Sequence, residues 1–223
     1  MLYWVLCLCA DRAISGHKVH RLKESDCADN GTMRKFSTLI RGAVAATTVL
    51  LLAACSEPKE PQWQWQPVSI ADAGVEMQFP CDPQFARTPV DFGMGLGNVP
   101  VHMMGCDAID TTFAISHWLL EDATQADDAL AFWEAAVLSQ FNAVDGENSK
   151  SGAVFMPHGA MDLPRSIRAT VEGVGRAGWT VTTHGAWFAR KEGDSARIFH
   201  AVMYTPKPYH ETANTFFGSI VLK

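Results

Sequence analysis

The chain has 223 residues, with 18 Lys+Arg against 24 Asp+Glu and a formal net charge of −6 at pH 7. From Cys55 onward the imbalance sharpens to 11 basic against 20 acidic side chains. An acidic domain is a poor match for a phosphate backbone and for anionic lipid headgroups, so nucleic acid is excluded as a natural partner and direct adhesion to a charged membrane surface is disfavoured.

Residues 1–32 begin with an apolar stretch, Met1 to Ala10, that has no basic residue before it, and continue as a polar run from Asp11 to Thr32. This reads as a misassigned extension, with Met33 as the start, and takes no part in the fold. Residues 33–54 have the anatomy of a bacterial secretion signal. Arg34 and Lys35 open it, an apolar run from Ala43 to Leu52 follows, and Leu52-Ala53-Ala54-Cys55 closes it. The run is shorter than the roughly 20 apolar residues of a permanent span. The segment resembles the signal and lipobox of bacterial lipoproteins. That resemblance implies a Cys55 acylated with a diacylglycerol and an amide-linked chain, and two or more acyl chains anchor stably. Ser56, rather than Asp, follows the cysteine, which by the same resemblance sends the protein to the outer membrane, facing the periplasm.

Of six cysteines, Cys7, Cys9 and Cys27 lie upstream and Cys55 is the lipid site. Cys81 and Cys106 remain, in a compartment that oxidises thiols, and are expected to form one disulfide joining neighbouring strands. Paired short spacings of the zinc-site kind are lacking, so no metal is expected.

Residues 55–67 read as an acylated tether broken by Pro58, Pro61 and Pro67, and residues 68–223 as one globular domain. Trp63 and Trp65 alternate with glutamines, either as a strand covering the core edge or as an interfacial pair; aromatic burial favours the core. Val75, Met77 and Phe79 alternate with polar residues, which predicts a strand ended by Pro80. A glycine loop (Gly93, Gly95, Gly97) precedes a strand over Val99–Asp107. It is not a nucleotide cradle, because it lacks the G-x-G-x-x-G spacing. The next strand covers Thr112–Leu120, with Phe113, Ile115, His117 and Leu119 on one apolar face. A helix is predicted over Thr124–Ala143, capped by Thr124, with Leu130, Trp133, Val137 and Phe141 as its apolar stripe. Strands are expected at Ala153–Met156, Ser166–Glu172, Trp179–Ala189 and Ala196–Tyr204, then a short helix Tyr209–Phe217 and a closing strand Ser219–Leu222. Strands in runs with two segregated helices predict an α+β domain, an antiparallel sheet carrying one long and one short helix.

The strand ending Gln78-Phe79-Pro80, the middle helix, the strand meander and Phe216-Phe217-Gly218-Ser219-Ile220 together resemble the PsbP/Mog1-like α+β sandwich, over about residues 63–223. Members with known roles assist or bind other macromolecules, which implies a binding or assembly role with an envelope protein as partner. The resemblance carries over no catalytic residue and no cofactor.

The chemistry-bearing motifs are absent as well. No G-x-S-x-G elbow or H-E-x-x-H group occurs. His117 and His200 fall on apolar strand faces, where a core histidine outweighs a ligand. His102, His158, His184 and His210 are scattered. Asp127-Asp128 suits a helix start, and Arg165 and Arg168 read as exposed strand arginines. Two functions stand side by side. The first is an anchored, non-catalytic binding domain; the second is an enzyme or small-ligand binder with a site of dispersed His, Asp and Arg. Converging histidines and carboxylates would favour the second.

Overall fold

The computed structural model describes residues 60–92, 94–140, 142–143, 150–174 and 179–223. The signal segment, Cys55, Gly93 and Phe141 lie outside them. In chain order the elements are β1 (Gln66–Ile70), β2 (Val75–Phe79), β3 (Gln84–Asp91), β4 (Asn98–Ala108), β5 (Thr111–Leu120), helix α1 (Ala126–Leu138), β6 (Asn142–Ala143), β7 (Lys150–Val154), β8 (Ile167–Val174), β9 (Thr180–Glu192), β10 (Ser195–Thr205), helix α2 (His210–Gly218) and β11 (Val221–Leu222). Strands β1-β2-β11 make a small sheet. The other eight make a large one in the order β3-β4-β5-β10-β9-β8-β6, with β7 also paired to β8, and every pairing is antiparallel.

This overturns the expected fold class. Over the described residues the domain is mostly antiparallel β in two sheets, and the two α-helices there, of 13 and 9 residues, are minor elements; the expected α+β sandwich does not describe it. The strand content exceeds expectation because β1 and β3 contain Pro67 and Pro89, which argue against strands in the sequence. Proline is tolerated there because both strands lie at sheet edges. The helix also ends early. Ser139 and Gln140 close its last turn with bonds to Ala135 and Val137 carbonyls, and Asn142 pairs with Val174 of β8. Its N-cap is Gln125, which offers no capping side chain, rather than Thr124; the capping carboxylate belongs to the 3-10 turn that leads into α1, where Asp122 accepts from the Thr124 N–H at 2.9 Å. Asp127, besides complementing the dipole, accepts from the Arg165 N–H at 2.8 Å.

Alternation along β5, β9 and β10 sends side chains to two cores. On one face Phe113, Ile115, Phe188, Phe199 and Met203 meet Val75, Met77 and Phe79 of the small sheet and Phe216 and Phe217 of α2. On the other, Trp118, Leu120, Trp187 and Ile198 meet the α1 stripe Ala126, Ala129, Leu130, Trp133 and Val137. Central strands covered on both faces read as continuous apolar runs, and β5 is buried at every position except Leu119.

From Glu60 on, the segment read as tether lies against the domain. Trp63 and Trp65 meet Phe113 edge-on at 5.3 and 5.9 Å, which is the core-edge placement. Helix α2 has no capping side chain of its own at Tyr209. Glu60 supplies the missing acceptor, taking the N–H groups of Glu211 and Thr212 at 3.1 and 2.9 Å. A carboxylate at this end also complements the helix dipole.

The β4–β5 turn holds a strained residue. Ala108 pairs with Thr111, so Ile109 and Asp110 form the loop, and Ile109 has φ 57 with 76% of its surface exposed. A β-branched residue in left-handed backbone costs roughly 1–2 kcal/mol. Ile109→Gly is therefore expected to raise stability by about 1 kcal/mol, read as a higher urea midpoint at unchanged slope. An unchanged or lower midpoint refutes it.

Candidate functional site

Hairpin β4–β5 pairs His102 with His117, and β10 pairs Phe199 with His117. Opposite them, the 3-10 turn Ala71–Ala73 that joins β1 to β2 carries Asp72. Gly74 ends that turn at φ 56. A Cβ there would sit 2.2 Å from the Arg190 guanidinium, so glycine is required by both the backbone and its neighbour. Arg190 donates to the carbonyls of Gly74 and Lys223, which ties the small sheet to β9.

Three groups from three elements thus converge. His102 Nδ1 lies 2.9 Å from Asp72 Oδ2, and His117 Nε2 lies 3.8 Å from the same oxygen. The two rings are 5.0 Å apart. Behind them stands Arg197, whose Nη1 is 3.3 Å from His117 Nδ1. Glu192 grips Arg197 through both oxygens, at 2.8 and 2.9 Å, and also pairs with Arg190. A guanidinium only donates, so His117 Nδ1 holds the lone pair and its Nε2 carries the hydrogen, facing Asp72. His102, bonded to the carboxylate through Nδ1, keeps Nε2 as the free acceptor.

The electrostatics follow from burial. His117 is 2% exposed. Loss of water pushes its pKa down to about 4, Asp72 opposes the change, and Arg197 and His102 add to it. Burial acts to raise the Asp72 carboxyl, but the His102 hydrogen bond and the charges of both imidazoles outweigh it and leave it below the usual carboxylate range. Glu192 is held low by its hydrogen bonds to Arg197, against partial burial. At neutral pH the arrangement is therefore a carboxylate facing a neutral, buried imidazole.

A second histidine pair lies on the same face of the large sheet. His184 shares a hydrogen bond with Thr170 Oγ1 through Nδ1 at 2.9 Å, and its ring is 5.7 Å from that of His210. Arg168, read as an exposed strand arginine, bonds Asn214 at 2.7 Å and lies over the Phe217 ring. Arg165 reaches the buried Glu134 at 3.6 Å. His200 stacks on Trp187 at 4.9 Å in the other core.

Cys81 and Cys106 are bonded, with Cα atoms 6.0 Å apart. They join β4 of the large sheet to the end of β2 in the small one, so the bond links two sheets and not two neighbouring strands. The convergence of Asp72, His102 and His117 escaped the sequence reading, although a signal was there. The two histidines are equidistant from the Ile109–Asp110 turn, and a hairpin placed there makes them cross-strand partners. Among the described residues no helix is long and apolar enough to cross a membrane. The chain matches no protein-family model and no curated protein sequence.

Proposed function

We propose that this protein is a lipid-anchored domain of the bacterial cell envelope, held at the outer membrane through Cys55 and working by binding, with an envelope protein as partner, rather than by catalysis. The observation that carries this reading is the signal segment closing on Leu52-Ala53-Ala54-Cys55. The Cys81–Cys106 bond supports it, because disulfides persist in oxidising compartments. A second reading, a small-ligand binder, draws on the convergence of Asp72 with His102 and His117.

Membrane fractionation tests the anchor. The wild type is expected in the membrane fraction, resistant to a high-salt wash, and Cys55→Ala in the soluble fraction or as an unprocessed precursor. Retention of the variant on washed membranes overturns the reading. Affinity capture from solubilised membranes then identifies the partner; recovery of none with the lipidated protein counts against the assembly role.

A further inference from the structure

We propose that Asp72, His102 and His117 form a binding site for a divalent first-row transition ion of the zinc and copper type. One ligand atom from each residue lies within 4.8 Å of the other two. The separations from Asp72 Oδ2, 2.9 Å to His102 and 3.8 Å to His117, bracket the roughly 3.3 Å expected between ligands about 2.05 Å from a tetrahedral ion. Small side-chain rotations are enough to equalise them.

The burial pattern fits an ion better than a plain hydrogen-bond network. His117 Nε2 is one of six buried side-chain atoms among the described residues without a hydrogen-bond partner, and it has the Asp72 carboxylate 3.8 Å away; buried polar atoms are ordinarily partnered. Asp72, by contrast, has half its side chain in solvent. The site is thus walled by the large sheet and open at the turn, which leaves a path for entry and a position for water or a fourth ligand. Two imidazoles and one carboxylate suit zinc and copper. Calcium and magnesium prefer shells made wholly of oxygen, and this donor set does not supply one.

Binding has a defined proton balance. The hydrogen on His102 Nδ1 moves to its exposed Nε2, and the hydrogen on His117 Nε2 moves to Nδ1, both through solvent exchange, so each imidazole stays neutral. Nδ1–H of His117 then faces the Arg197 guanidinium, and that contact, long at 3.3 Å, is the one that yields. Arg197 is therefore a brake on the site. It adds a positive charge near the ion and holds His117 in the tautomer that does not ligate. A glutamine in its place removes the charge and offers Nδ1–H an oxygen to bond, the outer-shell arrangement that orients ligating histidines.

The test uses full-length protein in detergent micelles, free of affinity histidines and stripped with a chelator. Titration with Zn2+ alone is expected to show one equivalent bound, undisplaced by excess Ca2+ or Mg2+. Asp72→Asn and His102→Ala each weaken it by at least about tenfold, and Arg197→Gln tightens it. With Cu2+ as the probe, the electron spin resonance spectrum is expected to show two coordinated nitrogens in the wild type and one in His102→Ala. Absence of binding, displacement by Ca2+, or affinity unchanged in Asp72→Asn and His102→Ala overturns the proposal. If a variant fails to fold, the nitrogen count in the wild type decides: any number other than two overturns it. Ion binding persisting in Cys55→Ala shows that the site stands independently of the lipid anchor.

Discussion

Lowering the pH from 7 to 4 is expected to remove about 6 kcal/mol of folding stability through two buried histidines, His184 and His200. Burial alone drives the His200 pKa down to about 3, between the rings of Trp187 and Trp133 at 4.9 and 5.4 Å. Burial is also the largest cause at His184, which sits near 4; Arg168 and His210 push the same way and Glu60 opposes them. Both are neutral in the folded protein, while an unfolded histidine takes up a proton near pH 6.5. The sign follows directly. The folded pKa values are depressed, so this stability is fully present above about pH 6.5 and is lost as the pH falls towards the folded values. A tenfold difference in proton affinity between the folded and unfolded chain is worth about 1.36 kcal/mol, so each histidine accounts for about 3 kcal/mol of the loss at pH 4. Together they approach the whole stability of an ordinary domain, and acid unfolding is expected. Denaturant unfolding at pH 7 and pH 4 measures the loss, and His200→Phe isolates one share. The variant should lose about 3 kcal/mol less than the wild type on acidification; equal losses in both refute the account.

Breaking the Cys81–Cys106 bond is expected to lower stability by roughly 3–4 kcal/mol, the chain-entropy value for a closed loop with a sequence separation of 25. The loop contains β3, an edge strand held on one side by β4 alone. Reduction therefore frees β3 and loosens the junction between the two sheets. Reductant on the wild type and Cys106→Ser should agree, each lowering the melting temperature by about 10 °C. A change below about 1 kcal/mol in both would mean that the unfolded chain is already constrained and the staple is redundant.

These two expectations also mark what the sequence discloses. The bond was legible because the chain from residue 60 onward holds two cysteines, Cys81 and Cys106, which leaves one pairing. β2 was legible from Val75, Met77 and Phe79, and α1 from Leu130, Trp133 and Val137, because period and burial coincide there. β3 was not: Arg87, Pro89 and Asp91 share its exposed face and Ala86, Thr88 and Val90 turn inward, but Ala86 and Thr88 make a weak apolar face and Pro89 argues against a strand. The fold class failed for a related reason. The apolar period that announced α1 does not stop at Leu138 in the sequence, so the helix looked longer and more important than it is. The candidate site was hidden by its turn. Ile109-Asp110 carries none of the glycine or asparagine that marks a tight hairpin, so the equal spacing of His102 and His117 about it was the one local sign of their register. Asp72 enters from another sheet altogether, and long-range pairing of that kind leaves no local periodicity.

The clip between Glu60 and the start of α2 bears on the order of folding. Glu60 and Thr212 are 152 residues apart, and β2 completes its sheet only when Val221 reaches Glu76. The large sheet can zip through its hairpins from β3 to β5 and from β8 to β10, each closed by near neighbours. The small sheet zips locally only from β1 to β2, because its third strand, β11, follows the whole large sheet in the chain. Loops this long close slowly, and the closing step comes late. A chain emerging in the N-to-C direction would therefore expose Val75, Met77 and Phe79 until residues 210–222 arrive. That interval leaves an apolar strand face uncovered and the chain dependent on holding chaperones until α2 and β11 close over it.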